Sequence, residues 1–262
     1  MLSRLRKLSL ALLFVAVSVG CQRKPPGPET DESLERALEL VESKCAVQVE
    51  QGLVQCPGVE MGEVARGLLE GQEPRLAKLH TLARALSHPD GKRRVVAAHL
   101  VRNVYGASFG RSPKRGAVHP ATADALLKAM VELPPPLATR VAPAAVHAAM
   151  LAGRNEALDA ALRTLSHEEV RHEAHRALMI HGRLAAFPRI RDLTHGDFDQ
   201  VTAALAGVGA MPEWTDAEQA EICPWVLGLT KHENPRVVAQ AYDVLGVCQG
   251  AEYREILEKR SR

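Results

Sequence analysis

The chain has 262 residues, with 33 lysines and arginines against 31 aspartates and glutamates, a formal charge of +2. Such a balance gives no general electrostatic drive toward nucleic acid or an anionic membrane surface, and no nucleic-acid partner is expected. Aromatic residues make up 3% of the chain while hydrophobic residues reach 46%, a composition suited to aliphatic ridges packed between helices rather than to an aromatic sheet core.

At the start of the chain, Arg4, Arg6 and Lys7 precede an uncharged run from Leu8 to Val19 that ends in Gly20-Cys21. A positive segment, a short apolar segment and small residues before a cleavage point describe an export signal. The run is shorter than the ~20 residues needed to span a bilayer. With Val17, Val19 and Gly20 ahead of Cys21, the segment resembles a bacterial lipoprotein signal. The resemblance implies cleavage before Cys21, acylation of that cysteine with a fatty chain such as palmitate, and anchorage in the bacterial cell envelope. Gln22 stands where an aspartate would favour inner-membrane retention, which points to the outer membrane. Processing would remove Arg4, Arg6 and Lys7 and leave a formal charge of −1. Gln22 to Thr30, with Pro25, Pro26 and Pro28, reads as an extended tether reaching roughly 30 Å. The expected organisation is a signal peptide over 1–20, a Pro-rich tether over 21–30, a small N-terminal unit over 31–73 and helical repeats over 74–262.

In the N-terminal unit, Leu34, Ala37, Leu38 and Val41 follow the i, i+3, i+4, i+7 spacing that collects one apolar face of a helix. Val47, Val49, Leu53 and Val54 then flank Glu50-Gln51-Gly52, which predicts a short β-hairpin. Besides Cys21 the chain holds Cys45, Cys56, Cys223 and Cys248. An even number of thiols in an exported chain predicts two disulfides. Three connectivities are open, and the local pairs Cys45–Cys56 and Cys223–Cys248 are favoured because each falls within one supersecondary unit. The absence of any CxxC pair argues against a zinc site.

From Pro74 onward the pattern is helical: Leu76, Leu79, Ala83 and Leu86 repeat the same periodicity. Three segments resemble one another: LSHPDGKRRVVAAHL from Leu86, LSHEEVRHEAHRAL from Leu165 and LTKHENPRVVAQAYDVLG from Leu229. Each ends a helix on leucine, makes a polar turn containing His88, His167 or His232, and opens a second helix with an arginine and small apolar residues. Asn234, Pro235, Arg236, Val237 and Ala239, together with Val170, Arg171 and Ala174, resemble the HEAT-repeat family. Arg94, Arg140, Arg171, Gln200 and Arg236 serve as equivalent points, at intervals ranging from 29 to 46 residues. The fold implied is all-α, an α-solenoid of HEAT-like helical pairs preceded by a small helix and hairpin. The recurring arginines are expected to bond neighbouring turns or to line the second helices. Pro143 and Pro224 are each expected to begin or kink a helix, and Gly207 and Gly209 to terminate one.

Chemistry is concentrated in histidine. His167, His172, His175 and His181 crowd one segment, and His172-Glu173 resembles the His-Glu signature of deoxyhypusine hydroxylase, a HEAT-type di-iron enzyme. A two-iron centre needs such pairs from several repeats, whereas the places after Arg94, Arg140 and Arg236 carry Val95-Val96, Val141-Ala142 and Val237-Val238. His172 and His175 stand three apart, short of the HExxH spacing, and remain a surface metal pair only as a minor alternative. Neither GxSxG nor a Walker loop is present, and no catalytic residue or cofactor is expected. The basic loop from Gly106 to Pro120, with Arg111, Lys114 and Arg115, is a candidate contact surface. The chain is thus expected to be a membrane-tethered, non-catalytic interaction scaffold with a protein partner in the envelope. The alternatives are a structural envelope protein without a discrete ligand, and a metal-dependent enzyme centred on His167 to His175.

Overall fold

Leu34, Leu38 and Val41 are buried along one side of helix α1, Glu32–Lys44, as their spacing dictates. The structure, a computed structural model, describes residues 32–55, 75–106, 118–193 and 198–260. The signal-like segment with Cys21, the tether, Cys56 and the basic residues Arg111, Lys114 and Arg115 lie outside the described residues.

A two-stranded antiparallel sheet follows α1: β1, Ala46–Gln48, pairs with β2, Leu53–Gln55, in the register Ala46 to Gln55, Val47 to Val54 and Gln48 to Leu53. Between the strands the Gly52 N–H donates to the Val49 carbonyl at 3.3 Å. Gly52 has φ 62°, a conformation that side chains with a Cβ adopt only at a cost. Cys45, at the mouth of the hairpin, is disulfide-bonded.

The rest of the described chain is helical: α2 Arg75–Ala85, α3 Gly91–Gly106, α4 Pro120–Glu132, α5 Pro135–Leu151, α6 Asn155–Thr164 and α7 Glu168–Gly182. A 3₁₀ turn, Arg183–Ala185, leads into α8 Phe187–Leu193, α9 Phe198–Gly209, α10 Asp216–Leu229, α11 Pro235–Leu245 and α12 Ala251–Arg260. Among the described residues the fold is all-α apart from the one hairpin. No helix among them is long and apolar enough to cross a membrane.

Several helix starts follow from local chemistry. Asn234 caps α11 by accepting from the Arg236 N–H at 2.9 Å, with Pro235 at the first helical position. Thr215 and Glu218 form a capping box at α10. Three turn histidines repeat one contact: the Nδ1 of His88, His119 and His232 accepts the backbone N–H two residues on, from Asp90, Ala121 and Asn234 at 3.1, 3.1 and 3.0 Å. The recurrence of His88 and His232 in the repeated segments therefore has a backbone-satisfying cause.

The helices α3, α5, α7, α9 and α11 pack successively, each against the next, while α2, α4 and α6 form a parallel chain of contacts beside them. α2 also packs on α3, α4 on α5, and α10 on α11. Helix α5 is buried on most sides: Val141, Ala142, Ala144, Ala145, Val146, Ala148 and Ala149 all lie in the core. Its small side chains let neighbouring helices approach closely. Pro143 sits inside α5 and Pro224 inside α10 rather than at a helix start. The helix α9 ends at Gly209, as expected of the Gly-Val-Gly run, while Gly207 lies within the last turn and is buried there.

Candidate functional site

Helix α7 carries most of the histidines, and its packing assigns them separate environments. His167 is the exposed residue preceding the helix and makes no side-chain cap. His172 is half-buried, with Nε2 3.9 Å from the Glu168 carboxylate one turn back. His175 is fully buried, and its Nδ1 lies 2.9 Å from the Arg171 carbonyl, which requires the proton on Nδ1. Its Nε2 is buried and makes no hydrogen bond among the described residues. Burial pushes the His175 pKa down to about 4, partly opposed by the bond to Arg171. No group of three or more His, Cys, Asp or Glu among the described residues is placed to hold a metal ion. His172 and His175 thus do not form a shared surface pair: the His175 ring is fully buried and the His172 ring lies beside the Glu168 carboxylate.

The seam between α7 and α9 is polar at one point. The nearly buried Arg171 donates from Nη1 to the Leu165 carbonyl at 3.1 Å and from Nη2 to Asp199 at 3.0 Å, tying the end of α6 to the first turn of α9. Gln200 donates from Nε2 toward the Leu162 carbonyl at 3.4 Å. Near the end of α7, His181 stacks on His147 of α5, with ring centroids 3.9 Å apart and planes within 2°. Two imidazolium rings could not stand face to face in that space. Burial and the His181 neighbour lower the His147 pKa to about 3, and burial lowers that of His181. The pair acts as a neutral aromatic contact across the α5–α7 interface.

A polar network of six hydrogen bonds lies between the end of α7 and the start of α10. Arg183 donates from Nε and Nη2 to the two carboxylate oxygens of Glu218 at 2.7 and 2.6 Å, and from Nη1 and Nη2 to the carbonyls of Pro212 and Glu213 at 3.0 and 2.8 Å. Glu218 also accepts from the Thr215 N–H at 2.8 Å and the Thr215 hydroxyl at 3.0 Å. The Arg183 bonds, opposed by burial and reinforced by Thr215, hold the Glu218 carboxyl at about 2. Arg183 and Glu213 both have positive φ, 48° and 42°, so the clamp holds two uncommon backbone conformations. The spacing Thr215 to Glu218 is a sequence-visible capping signature, but Arg183 has no sequence signal linking it to that box. Glu218→Gln is expected to cost about 2 kcal/mol, through loss of the charge-assisted bonds at a buried site. Urea unfolding at neutral pH measures this, and a midpoint equal to the parent's would show that the clamp contributes nothing.

At the C-terminal end, Cys223 of α10 is bonded to Cys248, with Cα atoms 5.9 Å apart. The Gln219 side chain joins the same two segments, accepting from the Gln249 N–H at 3.0 Å. Trp225 meets Phe187 edge to face at 5.5 Å, so its ring packs between α10 and α8. No family model, curated protein or solved structure matches the chain.

Proposed function

We propose that the chain is a bacterial envelope lipoprotein, anchored through Cys21, whose HEAT-like α-solenoid serves as a non-catalytic scaffold for a protein partner. The observation that carries this reading is the unbroken succession of contacts α3, α5, α7, α9 and α11, with first helices packed beside them. A row of parallel-stacked second helices is the element through which helical-repeat arrays present an extended surface. The repeated segments from Leu86, Leu165 and Leu229 supply the matching sequence periodicity, and the Gly20-Cys21 signal supplies the anchor. The histidines on α7 support the same reading, since their hydrogen bonds and stacking serve packing between helices.

In-cell crosslinking followed by purification from membranes tests the scaffold. It is expected to return the same envelope protein in repeated experiments. Metabolic labelling with a palmitate analogue is expected to mark the parent chain and not Cys21→Ser. Labelling without any reproducible partner would leave the anchor standing and remove the scaffold in favour of a structural envelope role.

A further inference from the structure

Four arginines stand at matching points of the repeats, and three of them are engaged. Arg94 donates to the His88 and Pro89 carbonyls at 2.8 and 2.9 Å, Arg171 to Leu165 and Asp199, and Arg236 to Glu168 at 3.0 Å. Arg140 differs in that no hydrogen bond or ion pair engages it among the described residues; its Nε is buried without a partner, as is the Nε of the otherwise engaged Arg171. A buried guanidinium nitrogen left in that state demands an explanation.

The hairpin marks one level on the two helices that carry Arg140 and a second arginine, Arg102. The Gly52 carbonyl accepts from His99 Nε2 of α3 at 2.9 Å, and a Cβ built at Gly52 would lie 3.0 Å from Leu137 Cδ2 of α5. His99 and Leu137 therefore mark one level on two helices that pack together. Arg102 and Arg140 each stand three residues further on, one turn along from that level. Arg102 is exposed and is likewise unengaged among the described residues. Burial lowers the Arg140 pKa, and the charge of Arg102 acts in the same direction. Helices α3 and α5 contain no aspartate or glutamate at all. Glu50, on the hairpin turn, is exposed and forms no ion pair with either arginine. His99 adds no third charge, because burial and the two arginines lower its pKa against the raising effect of its bond to Gly52.

We propose that Arg102 and Arg140 form a binding site for a phosphate dianion, either free or as a phosphomonoester, at the junction of α3, α5 and the hairpin. Two guanidinium forks match a tetrahedral oxyanion in both geometry and charge, whereas a single carboxylate would leave one cation uncompensated. The site does not depend on the scaffold reading, since neither arginine's environment bears on whether a protein partner binds elsewhere.

The test is a thermal-unfolding and calorimetric titration of the full chain with inorganic phosphate, against chloride at matched ionic strength. Saturating phosphate is expected to raise the unfolding temperature by about 5 °C when present at about 100 times its dissociation constant. Arg140→Gln and Arg102→Gln are each expected to weaken binding about tenfold or more. The exposed position of Arg102 keeps that second variant informative if the first is poorly folded. Glycerol 3-phosphate distinguishes the sources: tighter binding than inorganic phosphate assigns the site to a phosphorylated headgroup, and weaker binding assigns it to the free ion. A response to phosphate no larger than to chloride, or one unchanged in folded variants, overturns the proposal.

Discussion

Replacing Gly207 with leucine is expected to destabilise the fold by about 3 kcal/mol or more, because the side chain has nowhere to go. A Cβ at this position of α9 would stand 2.7 Å from the His175 carbonyl oxygen and 3.1 Å from the Arg176 nitrogen. Both atoms belong to the backbone of α7 and cannot rotate away, so the two helices would have to separate. Their separation would also strain the Arg171 bond to Asp199 and expose the Ala203, Ala204 and Val208 surfaces buried in the core. Even alanine, a better helix former than glycine, is expected to lower stability here. Gly228 supplies the control. It lies in the last turn of α10 with nothing within 4 Å of a built Cβ, and Gly228→Ala is expected to stabilise by about 0.5–1 kcal/mol. Denaturant unfolding of the three variants separates a close-approach role for Gly207 from a general tolerance of side chains, which equal stabilities would indicate.

Acid is expected to unfold the protein in two stages, the first set by buried histidines. His147 and His175 keep their rings neutral in the fold down to about pH 3 and about pH 4, while the same groups in an unfolded chain take up protons near 6.5. Between those limits the unfolded state binds more protons than the native one. The stability they contribute is therefore fully present above pH 6.5 and falls as the pH drops toward the folded values. Each unit of pH below 6.5 costs about 1.4 kcal/mol per such histidine, on the order of 5 kcal/mol for the pair by pH 4.5. His99 and His181, also lowered by burial, act in the same direction. The second stage begins near 4.5, where Glu218 in an unfolded chain would start to protonate, and continues toward its folded value of about 2. Unfolding midpoints measured at pH 7.5, 6, 5 and 4 should decline from about pH 6.5 downward. A curve flat to pH 4.5 would mean the rings are solvated, and His147→Asn should shallow the first stage without moving the second.

The sequence exposes features whose cause is local and hides those whose cause is a crossing between distant segments. Leu34, Leu38 and Val41 announce an amphipathic helix because their spacing alone decides which side is apolar. Asn234-Pro235 marks a helix start because the cap and the first-turn proline act within a few residues, and Gly52 marks a turn because its own backbone angle demands it. Gly207 misleads for the opposite reason. Read locally, the Gly-Val-Gly run looks like the end of a helix, and α9 does end at Gly209, but nothing local tells that Gly207 also clears space for a carbonyl on another helix. The stacked His147 and His181, and Arg183 reaching the Thr215–Glu218 box, are equally invisible until α5, α7 and α10 are brought together. The histidine cluster around His172 dissolves on folding because His175 is buried in the core, His172 stays half-buried beside Glu168 and His167 lies exposed before the helix. Arg140 is the converse case: the repeated segments single it out, but only packing reveals that among the described residues it lacks the partner its counterparts have.

The bond between Cys223 and Cys248 encloses all of α11 and the exposed turn around Lys231 and Glu233 in one covalent ring. A protease that cut this turn would open the ring without releasing either side of the cut. Helix α11 would stay docked on α9 and α10, and the nicked molecule would run as a single chain until its disulfide was reduced. Where exposed turns meet proteases, a break in the backbone there need not become a loss of the last helices.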